Sequence, residues 1–260
     1  MVMTINQNKQ GYKSKKLSNC DTSIKSPGTI HYPILICIDT SSSMNSFAEN
    51  GNTKASMMQQ MLNMIADIDL FESEKDVIDL CILGCNDKCY VFQDWISLSE
   101  LTGNIDLNVS GNAAIGNAIV ESIDAIRARR QAYMANGVES SKAQIFLFTD
   151  SVSNEDLKEA ITYAEKYLNR DKPFVTLNIF LIPPATDSSK FKVLGDKVRI
   201  FCLKDSINGI ENAFIFLRNI VCERFCTHPG EEIKVKIGDL VVIDFVNLNF
   251  ENENISDSWD

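Results

Sequence analysis

The chain has 260 residues, long enough to bury a real core in about one or two domains. Hydrophobic residues make up 45% and charged residues 23%, a globular profile, and no apolar run reaches the ~18 residues of a membrane span. A net charge of −10 argues against a general nucleic-acid binder, which needs a basic face to displace counterions.

Residues 1–29 carry Lys9, Lys13, Lys15, Lys16 and Lys25 against the single acid Asp21, without apolar periodicity. They are expected to form a flexible basic arm. Its start is polar and lacks the apolar centre of a secretory signal, so a cytoplasmic protein with reduced, core-packed cysteines is expected.

Residues 33–38 form a short continuous apolar run, the pattern of a strand buried on both faces. Met58, Met61, Leu62, Ile65 and Ile68 then recur at helical spacing. That spacing assigns the neighbouring Met57 and Met64 to core packing as well. Residues 77–83 and 89–92 read as two strands joined by the polar turn 85–88. Ile115, Ile119, Ile123 and Ile126 stripe a long helix. Arg127, Arg129 and Arg130 are expected near its C-terminus, with Asn136-Gly137 as the stop.

Residues 144–148 form another buried strand. Ser153 and Asp156 signal a helix start before Leu157, Ile161, Ala164 and Leu168. Strands follow at 174–182 and 198–203, and Ile210, Phe214, Leu217 and Val221 mark the last helix. Beyond it, residues 232–237 and 240–246 flank a Gly238-Asp239 turn and read as a hairpin.

Alternating strands and helices predict an α/β, Rossmann-like three-layer fold. Its central sheet is mostly parallel with one antiparallel edge strand, and helices cover both faces. The expected organisation is an arm at 1–29, a domain at 30–230, a hairpin extension at 231–250 and a disordered acidic tail at 251–260.

In open parallel sheets ligands gather at the carboxyl ends of the strands. Two such ends are rich in oxygen: Asp39, Ser41 and Ser43 after the first strand, and Thr149-Asp150 after the strand at 144–148. Two carboxylates and two hydroxyls suit a hard cation such as Mg²⁺, which takes about six oxygens. Asp39-x-Ser41-x-Ser43 resembles the metal-ion-dependent adhesion site of von Willebrand factor A domains. Thr149-Asp150 resembles the third loop of that site, and residues 110–119 its second. Residues 126–137 and Cys226-Thr-His-Pro-Gly230 are similar to the bacterial TerY-like branch, associated with tellurite-resistance gene clusters.

The resemblance implies a non-enzymatic protein-interaction module in a bacterial stress or defence setting, its partners a kinase and a phosphatase encoded nearby. Mg²⁺ or Mn²⁺ would be held by Asp39, Ser41, Ser43 and Asp150, and a partner's carboxylate would complete the shell. The family's second loop supplies a threonine hydroxyl, where this chain has Ala113, which has no oxygen to give. Asn112 is the neighbouring candidate, and a working site and a degenerate one both stay open. The alternative is a metal-dependent hydrolase or phosphatase using Asp39 and Asp150. Against it, the general acid that a haloacid-dehalogenase phosphatase needs two residues after its first Asp is here Ser41.

Overall fold

The computed structural model describes residues 24–226 apart from 27, 49–50, 66, 103–104, 152–156, 172, 186 and 204–206, together with the strand at 243–245. Most of the arm, Ser153 and Asp156, residues 227–230, most of the C-terminal hairpin and the acidic tail lie outside these residues.

Continuous apolar runs become buried strands, and the first of them sits at the centre of the sheet. The strands are β1 (Tyr32–Asp39), β2 (Ile78–Cys85), β3 (Cys89–Ser97), β4 (Ala143–Thr149), β5 (Val175–Leu181), β6 (Arg199–Leu203) and β7 (Ile243–Phe245). Among the described residues they form one seven-stranded sheet, in the order β3-β2-β1-β4-β5-β6-β7. Pairing is parallel from β2 to β6, and β3 runs antiparallel along β2. This is the mostly parallel sheet with an antiparallel edge expected from the sequence. β7 adds a second antiparallel edge, pairing Phe201 with Phe245 and Leu203 with Ile243. Residues 243–245, from the region read as a hairpin, therefore join the main sheet. That pairing caps a row of backbone groups that β6 would otherwise leave open.

The helices are α1 (Lys54–Ile65), α2 (Glu72–Lys75), α3 (Ile115–Ala135), α4 (Leu157–Tyr167) and α5 (Ile207–Cys226). Alternate residues of each strand point to opposite faces. Ile34, Ile36 and Ile38 join α1 and α5 on one face, while Leu35 and Cys37 join α3 and α4 on the other. Phe148, Phe180 and Phe201 stack across the first face with ring centroids 4.7–4.9 Å apart. Met57 and Met58 are buried and Met61 packs beside them, but Met64 is exposed because it falls on the solvent side of α1.

The described part of the arm is engaged. The Lys25 ammonium lies 3.3 Å from Asp76 and 3.1 Å from Glu100, and donates to Ser99 at 3.0 Å. Helix α3 runs past its arginines to Ala135, so they sit one to two turns before its end. There Arg127 pairs with Asp124 at 2.8 Å and Arg130 lies over the Phe174 ring, in place of the expected role at the helix terminus.

Candidate functional site

The chain leaves β1 for β2 on one side and later returns through α3 to β4 on the other, so strand order reverses between β1 and β4. A crevice opens outside the carboxyl ends of strands at such a switch point. Asp39 is the last residue of β1, Thr149 is the last of β4, and Asp150 follows it directly. The sheet topology thus brings together residues more than a hundred positions apart.

Asp39 is only 1% exposed. Its Oδ1 accepts the Ser41 amide at 2.8 Å and its Oδ2 accepts the Thr149 hydroxyl at 2.7 Å. Burial pushes its carboxyl above the usual range, and the Asp150 charge pushes the same way, while the bonds from Ser41 and Thr149 oppose them. Thr149 Oγ1 also accepts the Ser151 amide at 3.0 Å, which folds the third loop back over the strand end.

Asp150 faces the first loop. Its Oδ1 accepts the Ser43 hydroxyl at 2.5 Å and the Ser151 hydroxyl at 3.2 Å. Because Ser43 spends its proton there, the 2.9 Å contact between Ser41 and Ser43 is donated by Ser41. Asp150 Oδ2 accepts the Lys54 ammonium at 2.6 Å, and Lys54 is 4% exposed. Contacts on either side of it position this lysine. Phe47 and Thr53 form an antiparallel bridge, and the Lys54 amide returns to the Ser46 carbonyl at 3.2 Å. Thr53 Oγ1 accepts the Ser56 amide at 3.1 Å and so caps α1. The first residue of α1 is thereby set against the end of β4.

The second loop meets the first through its backbone, with Ser42 donating to Gly111 at 3.0 Å and Ser110 to Thr40 at 2.9 Å. Gly111 has φ +72°, and a Cβ there would lie 2.2 Å from Asp87 Oδ2, so only glycine fits. Asn112 is held away from the cluster, its amide and side-chain Nδ2 both donating to Asp87 Oδ1 at 3.1 and 3.3 Å. Ala113 packs against the apolar face under α3. Of the six candidate residues, the structure therefore gathers Asp39, Ser41, Ser43 and Asp150 and leaves Asn112 and Ala113 outside.

The gathered residues fit a resident divalent cation poorly. Each of the four carboxylate oxygens already accepts a protein donor, and one of those donors is a full positive charge. Because Mg²⁺ needs only about one or two protein carboxylates and keeps several waters, the Lys54 ammonium on Asp150 is the main obstacle. A positive charge already paired with Asp150 repels a second cation placed beside the same carboxylate.

Sequence reasoning missed Lys54, since the apolar stripe of α1 becomes visible only from Met58. It also missed a buried cluster at the opposite end of the sheet. Asp79, the second residue of β2, lies 2.9 Å from the Arg129 guanidinium, both side chains fully buried. Asp79 Oδ2 also accepts His31 Nδ1 at 2.8 Å and the Tyr133 hydroxyl. Burial, with the Asp79 charge beside it, holds the Tyr133 phenol well above its ordinary pKa. The signal was a lone carboxylate inside an apolar strand run, and an arginine three residues after Ile126 on the buried stripe of α3. Cys85 and Cys89, the pair across the β2–β3 turn, are buried with sulfurs 3.0 Å apart.

No protein-family model matches the sequence, and no curated protein matches it. Solved structures do. The pilus adhesin SpaC from Lactobacillus rhamnosus GG superposes with a TM-score of 0.58 at 9% identity, over 76% of this chain and 31% of that one. The PilB minor pilin from Streptococcus sanguinis gives 0.54 at 11% identity, over 77% and 64%. The likeness is to the α/β, three-layer fold expected from the sequence, a mostly parallel sheet with the antiparallel β3 edge. A von Willebrand factor type A protein from Catenulispora acidiphila is also similar, with a TM-score of 0.48 at 15% identity, over 78% of this chain and 44% of that one. At these identities the likeness is one of fold, and the chain spans less than two thirds of each of these structures.

Proposed function

We propose that the chain is a non-enzymatic protein-interaction module that docks a partner on the loops at the carboxyl ends of β1 and β4. The observation that carries this reading is the shape of the first loop. Residues 42–47 are exposed apart from Met44, whose fully buried side chain anchors them, and Phe47 at the end of this stretch is 75% exposed. A polar loop anchored by Met44 and carrying an exposed aromatic ring suits a protein-docking surface, since aromatic anchors dominate interface energetics.

The hydrolase alternative finds less support. A nucleophilic aspartate needs an exposed oxygen free to attack, whereas Asp39 is buried with both oxygens engaged, and Asp150 is tied to Lys54. The divalent-cation form of docking rests on the sequence resemblance alone, and the donor set weighs against it. On the TerY-like resemblance, the proposed partners are cytoplasmic proteins of a bacterial stress or tellurite-resistance system, a kinase and a phosphatase among them.

The test is affinity capture with three baits: wild type, the Ser43→Tyr/Phe47→Asp double variant, and Met134→Asp, which adds a charge at the exposed far end of α3. Partners recovered by wild type and Met134→Asp but lost from the double variant would support docking at this loop. Equal recovery with all three would refute it.

A further inference from the structure

We infer that the Lys54 ammonium is the resident cation of the β1–β4 loop cluster, standing where a von Willebrand factor A-like adhesion site would hold a divalent metal ion. The inference concerns the same loops as the docking reading and rests on that assignment of the site.

The cluster places two carboxylates, Asp39 and Asp150, in a pocket almost closed to water. Two buried carboxylates linked through serine hydroxyls repel each other unless a positive charge compensates. Lys54 supplies it from within the chain, at 2.6 Å from Asp150 Oδ2 and with its side chain 5% exposed. A lysine so buried pays a large desolvation cost unless it is paired, and Asp150 is its partner among the described residues. The remaining acceptor positions are filled in the same spirit by Ser41 N–H, Thr149 O–H, Ser43 O–H and Ser151 O–H.

Each departure from the metal-binding pattern fits an ammonium in the site. Ala113 withholds the oxygen that the second loop would offer a divalent ion, while the Lys54 ammonium already has its counter-charge in Asp150. Ser151 donates a hydroxyl to the carboxylate that a metal would otherwise help to neutralise. The Phe47–Thr53 bridge and the return of the Lys54 amide to Ser46 deliver the first residue of α1 to the end of β4. The first loop is consequently held in place at any divalent-ion concentration, and partner docking is uncoupled from Mg²⁺.

The experiment is thermal unfolding of the full chain in EDTA and in millimolar Mg²⁺ or Mn²⁺, for wild type, Lys54→Met and Lys54→Met/Asp150→Asn. Wild type should melt at the same temperature in all conditions. Lys54→Met should melt lower in EDTA and rise with the ion, by about 5–10 °C at a hundredfold excess over its dissociation constant. The double variant should show no rise. A cation-dependent rise in wild type, or none in Lys54→Met, overturns the inference. If Lys54→Met does not fold, Lys54→Gln, which keeps a donor for Asp150, takes its place. The intensity of the free Mn²⁺ electron paramagnetic resonance signal decides on wild type alone. An undiminished signal supports an ammonium-filled site, and stoichiometric loss of the signal overturns it. No partner takes part, so failure here leaves the docking reading standing.

Discussion

Replacing Asp79 should be among the most damaging single changes in the chain. Its carboxylate is fully buried and faces three partners from two elements: the segment before β1 through His31, and two successive turns of α3 through Arg129 and Tyr133. In Asp79→Leu the guanidinium loses its counter-charge at 2.9 Å and stays buried, stacked 4.9 Å from the Tyr133 ring centroid and 5.6 Å from that of Trp95. Removing one partner of a buried ion pair costs about 3–5 kcal/mol, a large fraction of a total stability of about 5–15 kcal/mol. For a chain of this size that is a fall of roughly 6–20 °C in melting temperature. The companion variant Asp79→Leu/Arg129→Met removes both charges, and should recover most of the loss, ending within about 2 kcal/mol of wild type. Urea unfolding followed by circular dichroism measures both. A loss below about 1 kcal/mol in Asp79→Leu would refute the reasoning. So would a double variant as unstable as the sum of the two single ones, which would mean that the charges are not coupled.

Gly111→Ala should cost about 1–3 kcal/mol, because alanine at φ +72° is strained and its Cβ displaces Asp87, which holds Asn112. A loss of only a few tenths in a urea melt would show that the second loop tolerates the shift. The Asp76 carboxyl is held below its ordinary 3.8 chiefly by the Ser99 hydroxyl, with Lys25 adding to the effect. A depressed folded-state pKa stabilises above the unfolded value and is lost as pH falls through the folded one. Asp76→Asn should therefore be less stable than wild type at pH 7, by under about 1 kcal/mol for so exposed a group, and equal to it near pH 2. A difference that persists at pH 2 would contradict this. The Tyr133 phenol, held up by burial, should not ionise while the chain is folded, so stability declines as pH climbs past about 10. An ultraviolet titration that shows every tyrosine ionising near 10 in the folded protein would argue against the buried contact.

The sheet was legible because buried parallel strands leave short apolar runs, and β1 and β4 differ from their sequence readings only at the ends. Asp39, Ser41, Ser43 and Asp150 were legible for a related reason: polar residues immediately after such a run fall at the carboxyl edge of the sheet, and here they meet. Lys54 was not legible, because its role depends on a turn that brings residue 54 back to residue 46, and nothing local in the sequence encodes that return. The contacts of Asn112 with Asp87 were not legible, because they depend on the left-handed conformation of its neighbour Gly111. Arg129 was read by its charge, as a helix-end residue, when its phase on the Ile115–Ile126 stripe placed it on the buried face of α3.

The most direct single measurement is the affinity of a captured partner for the wild-type chain in EDTA and again in millimolar Mg²⁺, beside the Ser43→Tyr/Phe47→Asp variant. The expected result is the same dissociation constant in both buffers for wild type, and at least a tenfold weakening in the variant. Binding that requires Mg²⁺ and disappears in EDTA would contradict a loop cluster already supplied with its own cation.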